Sequence, residues 1–359
     1  MKIVAEIGSS HGGDIKKAEQ LIDLAKNSGA DCVKFQIFYA DEILHPKSGI
    51  VPLPSGKINL YENFKKLEVN DDFFIHVKNY ALSKKIDFCA SPFGFKSLNE
   101  LLKLNPSFVK IASPELNYFQ LLNEINNIRK KQRIPIVLSS GVSRLYDIEK
   151  ALDCFNSLND LILLHCITSY PAPTDEYNIS VIENLSKIFD IKVGVSDHST
   201  DPILVPLLTI AFGGIMIEKH ITLSNDYDGL DDKVALNGKN FEKMCKNINK
   251  YRKIEKDKII ADLIQIYGKD KVLKCIGNGK KVLAKSEIDN YYRTNRSIHF
   301  MQNIKAGTVL QKNHIAILRT EKVLTPGISP EFFETIIGTK LAKDAIDGEG
   351  VTFDHLFFK

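Results

Sequence analysis

No two cysteines in this chain stand at CxxC spacing. The six, Cys32, Cys89, Cys154, Cys166, Cys245 and Cys275, are scattered, and Cys32, Cys89 and Cys166 fall inside apolar, strand-like runs. They read as reduced, buried thiols of a cytosolic protein rather than as a paired framework. No apolar run approaches a membrane span, and the opening Lys2–Ile7 is too short, and too acidic at Glu6, for a signal sequence. The expectation is a soluble, unprocessed, cytoplasmic protein. There is no long basic block and no interleaving of basic with aromatic residues, and the formal net charge is only +4, so nucleic acid is not indicated. Small anionic substrates remain open. A phosphate-binding GxGxxG is missing, as are internal repeats and low-complexity tracts. What is present is ordinary globular composition, 44% hydrophobic and 26% charged over 359 residues, enough for one large domain and a small one.

Short apolar runs alternate with segments of helical period. KIVAEIG comes first, followed by a helix whose apolar face is Ala18, Leu21, Ile22 and Ala25, closed by Gly29. Further strands are expected at Cys32–Ile37, Ile86–Ala90, Phe108–Ile111, Ile136–Ser139, Leu161–His165, Ile191–Val195 and Ile215–Glu218. Helices are expected between most of them, among them Gln120–Arg129, Ile148–Phe155 and Val205–Phe212. Eight strand-helix units with near-continuously apolar strands predict a (β/α)₈ barrel over residues 1–254, with the chemistry at the carboxyl ends of the strands. The second loop, Phe38 to about Asp71, is long and carries Pro46, Pro52 and Pro54, which reads as a lid or insertion. Residues 255–293 are lysine-rich and irregular and read as a linker. From 294 to 359 the pattern is short and turn-punctuated (RSIHF, a Lys-Ala-Gly turn, Thr308–Leu310, Ile315–Leu318, Asp347–Gly350), which predicts a small β-rich domain that needs to dock on something.

The strand ends are strongly polar. Two histidines one strand-helix unit apart, His198 in GVSDHST and His220 in IMIEKHIT, are each expected to leave the end of a strand and face one pocket. Two imidazoles without a third ligand fixed by spacing are a weak metal signal, yet such a site would suit polarisation of a carbonyl better than a closed structural ion. Glu218 shares a face with His220 by the two-residue strand period, whereas Asp197 points away if its strand continues; Glu218-Lys219 is also readable as a solvated ion pair. Lys34 and Lys110 end apolar strands. With hydroxyls at Ser113, Ser139, Thr168 and Ser196 they suggest a phosphate or carboxylate cradle, the alternative being pairing with carboxylates such as Glu6 or Glu115. His11 stands in a loop before a helix that Asp14 can cap, and either a loop role or a substrate contact fits. His165 and Cys166 read as packing, and Asp231 and Asp232 as carboxylates near the mouth or a solvated turn.

Taken together, AEIGSSHGGD, GADCVKFQ, KIASPE, LSSG, HCITSYPAP, GVSDHST, EKHIT, DGLDDKVAL and RSIHFMQNIKAG resemble the sialic acid (N-acetylneuraminate) synthases, or nonulosonate synthases more broadly, along nearly the whole chain. The resemblance implies a (β/α)₈ TIM barrel followed by an antifreeze-like SAF domain, in a domain-swapped homodimer whose SAF domain covers the partner's active site. It also implies a transferase that condenses phosphoenolpyruvate with an N-acylated hexosamine resembling N-acetylmannosamine, dependent on Mn²⁺ or Mg²⁺. Carried over by position, His198 and His220 are the metal ligands, and Lys34, Lys110, Ser113, Ser139 and Ser196 the phosphoenolpyruvate shell, with Gln36 beside it. Glu6 and Glu115 would manage protons, while Tyr170 and Asp231 line the sugar pocket.

The chain also departs from the family pattern. Ser10-His11-Gly12-Gly13 replaces Asn-His-Asn-Gly, Thr168 stands for a serine or asparagine, and Asp232 for a histidine. The SAF arginine of an Arg-Pro-Gly motif is missing, because Thr325 precedes Pro326-Gly327 and the alternative alignment offers Val323. Arg319 and Lys322 are left as candidates for its place. Three alternatives follow: a legionaminate or pseudaminate synthase using a 6-deoxy-diacetamido hexose; a barrel condensing a phosphorylated sugar, which needs extra cations at the distal end of the pocket; and a catalytically silent sugar-binding or assembly protein.

Overall fold

The computed structural model describes residues 1–53 and 56–356. Pro54 of the second loop, together with Ser55 and residues 357–359, lies outside the described residues. Eight parallel strands close into a barrel: β1 (Lys2–Gly8), β2 (Cys32–Ile37), β3 (Asp87–Pro92), β4 (Val109–Ile111), β5 (Ile136–Ser139), β6 (Leu161–Cys166), β7 (Lys192–Asp197) and β8 (Met216–Thr222), with β8 pairing back onto β1. Helices follow where the periodicity places them, at Ile15–Ser28, Phe119–Arg129, Leu145–Leu152 and Leu204–Ala211. Asp14 caps the first, its Oδ1 accepting from the Lys16 and Lys17 N–H groups, and Gly29 ends it at φ 98°.

Strand residues alternate between two destinations, and this sets the position of the site. Outward residues such as Val33, Leu138 and Ile217 pack under the helices. Inward residues at the amino ends, Val4, Cys32, Cys89, Val137, Leu164 and Met216, form a separate apolar plug. Gly194 belongs to this level: a Cβ there would meet the Met216 carbonyl oxygen at 2.3 Å and Leu164 Cδ2 at 2.9 Å, so only glycine lets β7 pass the plug. Two residues further along each strand the interior turns polar, with Glu6, Lys34, Ser91, Lys110, Ser139, Ser196 and Glu218 all buried.

Three expectations change. β8 does not end at Glu218 but continues to Thr222, so His220 lies within the strand and not beyond it. The polar run that resembled a strand end is polar for two reasons: Glu218 and His220 face the cavity, while Lys219 on the other face is buried against Asp197 at 2.6 Å and is not a solvated pair. Residues 255–293 are irregular only in part, over 277–284. Helices Lys256–Tyr267 and Lys269–Ile276 bury Ile259, Leu263, Val272 and Cys275 at three- and four-residue spacing, a stripe hidden in the sequence by the lysines around it. The second loop folds locally into the helix Ala40–Ile43, the hairpin Ile50–Leu53 with Gly56–Asn59, and the helix Leu60–Leu67, around a small core that includes Phe38, Ile43 and Phe93.

In the C-terminal domain β9 (Arg296–Phe300) pairs antiparallel with β10 (Ile315–Arg319), and isolated bridges join His299 to Gly350, Ile304 to Ala345 and Val309 to Lys340. The domain sits on its own barrel. Asn117 exchanges two hydrogen bonds with the Arg296 backbone, Gln120 donates to the Pro330 carbonyl, and Arg319 bridges to Leu44 of the second loop. Within one chain the domain roofs the mouth of its own barrel. No helix among the described residues is long and apolar enough to cross a membrane.

His11 takes the loop role. Its Nδ1 accepts the Gly13 N–H at 3.0 Å and its ring lies against Phe73 and Phe35, with burial and then the Lys17 charge pushing its pKa down from 6.5 to about 4. The folded state therefore refuses a proton that the unfolded chain accepts below pH 6.5. Stability attributable to this group is intact at neutral pH and falls by about 3 kcal/mol as the pH drops towards 4. Urea unfolding at pH 7 and pH 4.5 is expected to show a smaller acid loss for His11→Asn, which keeps an acceptor for Gly13 but no titrating ring.

Candidate active site

At the carboxyl ends of the strands a cavity of about 440 Å³ opens beneath the second loop and the C-terminal domain, within the usual range for a small-molecule site. Its floor is the polar level of the barrel. Lys34 lies 2.7 Å from Glu6 Oε2 and 3.7 Å from Glu218 Oε1, and donates to Ser91 Oγ at 3.2 Å. Burial opposes its charge, but Glu218 and Glu6 outweigh burial and hold its pKa above the ordinary lysine value. Lys110 is placed differently. It donates to Ser139 Oγ at 2.6 Å and to the Ile111 carbonyl at 2.9 Å, and its carboxylate partner, Glu218, is 3.9 Å away. Burial lowers its pKa, only partly offset by Glu218. Lys34 thus follows the ion-pair reading, with Glu6 and not Glu115 as partner. Lys110 is a buried ammonium short of negative charge, which an arriving anion would complete.

Glu6 is held from two sides, its Oε1 accepting from Gln36 Nε2 at 2.8 Å, and burial raises its pKa against the pull of Lys34. Ser196 donates to Glu218 Oε1 at 3.0 Å. Burial works against the charge of Glu218, yet Lys110 and Lys34 keep its pKa below the ordinary carboxylate range. Ser113 accepts the Gly141 N–H at 2.9 Å, and Thr168 Oγ1 is buried with no hydrogen-bond partner among the described residues.

His198 follows β7 and His220 lies in β8, their ring centroids 5.6 Å apart. Burial lowers both pKa values, so the imidazoles are neutral. His198 Nδ1 is 2.8 Å from the Ile167 carbonyl, which can only accept, so the proton sits on Nδ1 and the Nε2 lone pair is left to accept from the Tyr170 hydroxyl. Tyr170 stacks on this ring with centroids 4.2 Å apart, its hydroxyl 3.2 Å from Nε2, and Asp231 Oδ2 lies 3.6 Å from His220 Nδ1. No cluster of three or more His, Cys, Asp or Glu among the described residues is placed to hold a metal. Two neutral imidazoles, one with its tautomer fixed from behind, are the residues that would hold a divalent ion here, which would act by polarising a bound oxygen.

Of the residues expected in the site, Glu6, Lys34, Gln36, Lys110, Ser113, Ser139, Thr168, Tyr170, Ser196, His198, His220, Asp231 and Arg319 all line this cavity. Glu115 does not. It is fully buried at the join between the domains, and its Oε1 accepts from both Arg296 (2.9 Å) and Arg319 (2.7 Å). Arg296 also donates to the backbone carbonyls of Glu42 and Phe93. A carboxylate held by two guanidinium groups away from the cavity is a lock on the C-terminal domain. Asp232 turns away as well, accepting from Thr222 Oγ1 at 2.7 Å and the Gly229 N–H. Among the barrel-strand residues of the cavity, Ser91, Cys166 and Glu218 were given no site role from the sequence, although the two-residue period of β3, β6 and β8 points to each of them. His165 packs outward, as expected, against the Tyr177 carbonyl, but Cys166 faces in, 3.7 Å from His198 Nδ1. Arg296 carries no signal in a single sequence, because its importance depends on Glu115 lying opposite.

The NeuB family model matches residues 21–259 and the SAF domain model residues 295–356. The chain belongs to the NeuB family. An uncharacterized protein of Methanocaldococcus jannaschii is 33% identical over 99% of this chain and 94% of its own. The N,N'-diacetyllegionaminic acid synthase of Campylobacter jejuni is 31% identical, with 97% of each chain covered. The crystal structure of the spore coat polysaccharide biosynthesis protein SpsE of Bacillus subtilis matches with a TM-score of 0.83 at 28% identity, over 100% of this chain and 95% of that one. Membership places this chain among the sialic acid-type, or nonulosonate, synthases, which are sugar-acid-forming enzymes.

Replacing Glu115 with glutamine leaves Arg296 and Arg319 without their shared carboxylate. Glu115→Gln is expected to cost about 3 kcal/mol and to free the C-terminal domain for protease cleavage near residue 295. Denaturant unfolding and limited proteolysis would check both.

Proposed function

We propose that this chain condenses phosphoenolpyruvate with the open-chain aldehyde of an N-acylated hexosamine, with water, to give a nonulosonic acid and phosphate. The observation that carries the reading is Lys110, a buried cation lacking a close carboxylate, set with Lys34 and five hydroxyl side chains beside two neutral imidazoles. Phosphate and carboxylate are the ligands such a floor favours, and the relatives are named for sugar-acid synthesis.

In this reading Lys34, Lys110, Ser113, Ser139 and Ser196 hold the phosphate and carboxylate of phosphoenolpyruvate, and Thr168 Oγ1 gains the partner it lacks. His198 Nε2 and the His220 ring would hold Mn²⁺ or Mg²⁺, which supplies polarisation of the aldehyde oxygen. Tyr170 and Asp231 orient the sugar at the imidazoles. The enolpyruvate methylene carbon bonds to the aldehyde carbon, whose oxygen takes a proton. Water then adds to the cationic carbon, losing one proton; the C–O bond to phosphate breaks as the new hydroxyl becomes the keto C=O, its remaining proton passing to the departing phosphate. Glu6, with its pKa raised by burial and its position fixed by Gln36, is the group suited to carry protons between these steps. The second loop and the C-terminal domain exclude bulk water from the cavity. In a swapped homodimer the Glu115 contacts with Arg296 and Arg319 would be made between chains by the same residues, so the cover is equivalent in either arrangement.

A phosphorylated hexosamine is the second reading. Lys233 and Lys322 line the cavity with Arg319, from loops beyond the strand ends, and Lys322 donates to the neutral Asn290. These are the distal cations such a substrate needs.

Phosphate release from phosphoenolpyruvate is expected only with an acylated hexosamine and a divalent ion present. A panel with and without a sugar phosphate, including N-acetylmannosamine and its 4-acetamido-6-deoxy analogue, is read by mass spectrometry of the product. His198→Ala and His220→Ala are expected to lose metal-stimulated release, and Lys110→Met to raise the KM for phosphoenolpyruvate about tenfold or more. Silence with every sugar would leave a binding protein.

A further inference from the structure

The turn after β5 is held in a conformation it would not choose. Val142, β-branched, sits at φ 41°, in the left-handed region that such residues avoid. Gly141 beside it is packed so closely that a Cβ would meet Thr168 Oγ1 at 2.1 Å and Ser113 Oγ at 2.9 Å, both groups of the cavity wall. The restraint comes from the segment that leads into the C-terminal domain. Glu287, fully buried, accepts the Val142 and Thr168 N–H groups on Oε1, each at 2.7 Å, and the Ala284 N–H on Oε2 at 3.1 Å. Asn295 donates to the Val142 carbonyl at 3.0 Å, and Lys281 to the Ser140 carbonyl at 2.7 Å.

We propose that Glu287 is a positioning residue for the anion cradle: its carboxylate ties the ends of β5 and β6 together, fixing Ser113, Ser139 and Thr168 against the cavity. It touches no substrate. One carboxylate oxygen shared by two backbone donors carries the coupling of the paired strands β5 and β6 past their last direct contact, Ser140 on the Leu164 carbonyl, into the two strand-end loops. The same segment runs directly into β9, whose first residue, Arg296, is locked on Glu115, so seating of the cover and geometry of the cradle are mechanically one unit.

The effect on substrate rests on the proposed phosphoenolpyruvate site, while the effect on the turn does not, and two measurements separate them. Amide hydrogen exchange without ligand is expected to rise at least about tenfold at Gly141, Val142 and Thr168 in Glu287→Ala, with β8 unchanged as the control for global folding. Phosphoenolpyruvate titrated directly into the full chain is expected to bind about tenfold more weakly. Glu287→Gln, whose carbonyl can still accept both N–H groups but whose amide cannot serve Ala284, is expected to fall between and carries the test if the alanine variant does not fold. Unchanged exchange, or a loosened turn with unchanged affinity, would overturn the assignment. A parent protein that binds no phosphoenolpyruvate would instead refute the functional reading, and the exchange data would still judge the clamp.

Discussion

Two lysines and two glutamates share one level inside a closed barrel, and the rest of the molecule is arranged around the cost of putting them there. Each buried ion forfeits several kcal/mol of hydration unless geometry returns it. Lys34 and Glu6 repay one another at 2.7 Å, whereas Lys110 and Glu218 at 3.9 Å do so only in part. Removing a member would leave an uncompensated charge in an apolar surround, so the set stands or falls together. The plug of Val4, Cys32, Cys89, Leu164 and Met216 beneath it keeps water from relieving the strain from below. Relief can come only from the open side, and the group that completes Lys110, whose nearest carboxylate is 3.9 Å away, is an anion.

The open side is roofed by two pieces of chain distant in sequence, the loop after β2 and the C-terminal domain, and these meet each other as well as the barrel. Arg296 is the join: its guanidinium reaches the second loop at the Glu42 carbonyl, the end of β3 at the Phe93 carbonyl, and Glu115 beyond β4. Arg319 adds a second cation on the same carboxylate and presents the edge of that cluster to the cavity. A small domain near the lower limit for independent stability gains an anchor this way, and the cavity gains a wall that no barrel strand could provide.

Much of this was legible in the sequence, because strands buried on both faces leave a period-two record: apolar outward, apolar then polar inward. β2 and β5 were placed to the residue, and Lys34, Lys110 and Ser139 fell at the correct level. The record misled where polarity had two causes. His220 looked like a residue beyond a strand because Glu218, Lys219 and His220 are all polar, yet one of the three faces out to Asp197. The helices at 256–276 were masked by lysines on their solvent face, although Ile259, Leu263, Val272 and Cys275 keep the spacing. Glu115, Arg296, Glu287 and Val142 were beyond reach for a different reason. Their roles depend on which segments meet across more than a hundred residues, and no local pattern records that.

The contrast between Glu6 and Glu115 shows how environment separates two carboxylates that resemblance treats alike. Both are buried at strand ends, both have cationic neighbours, and both invite a role in proton transfer. Glu6 faces the cavity with one lysine and an amide, and burial wins over the lysine, so its pKa lies above the ordinary range and a proton can come and go. Glu115 faces two guanidinium groups, whose forked donors converge on one of its oxygens. Its part is structural, joining Arg296 and Arg319 of the C-terminal domain to the barrel. The distinction follows from what each carboxylate faces: in the proposed reaction proton traffic falls to Glu6 on the β1 side of the cavity, beside the two imidazoles, while Glu115 provides mechanical closure on the β4 side.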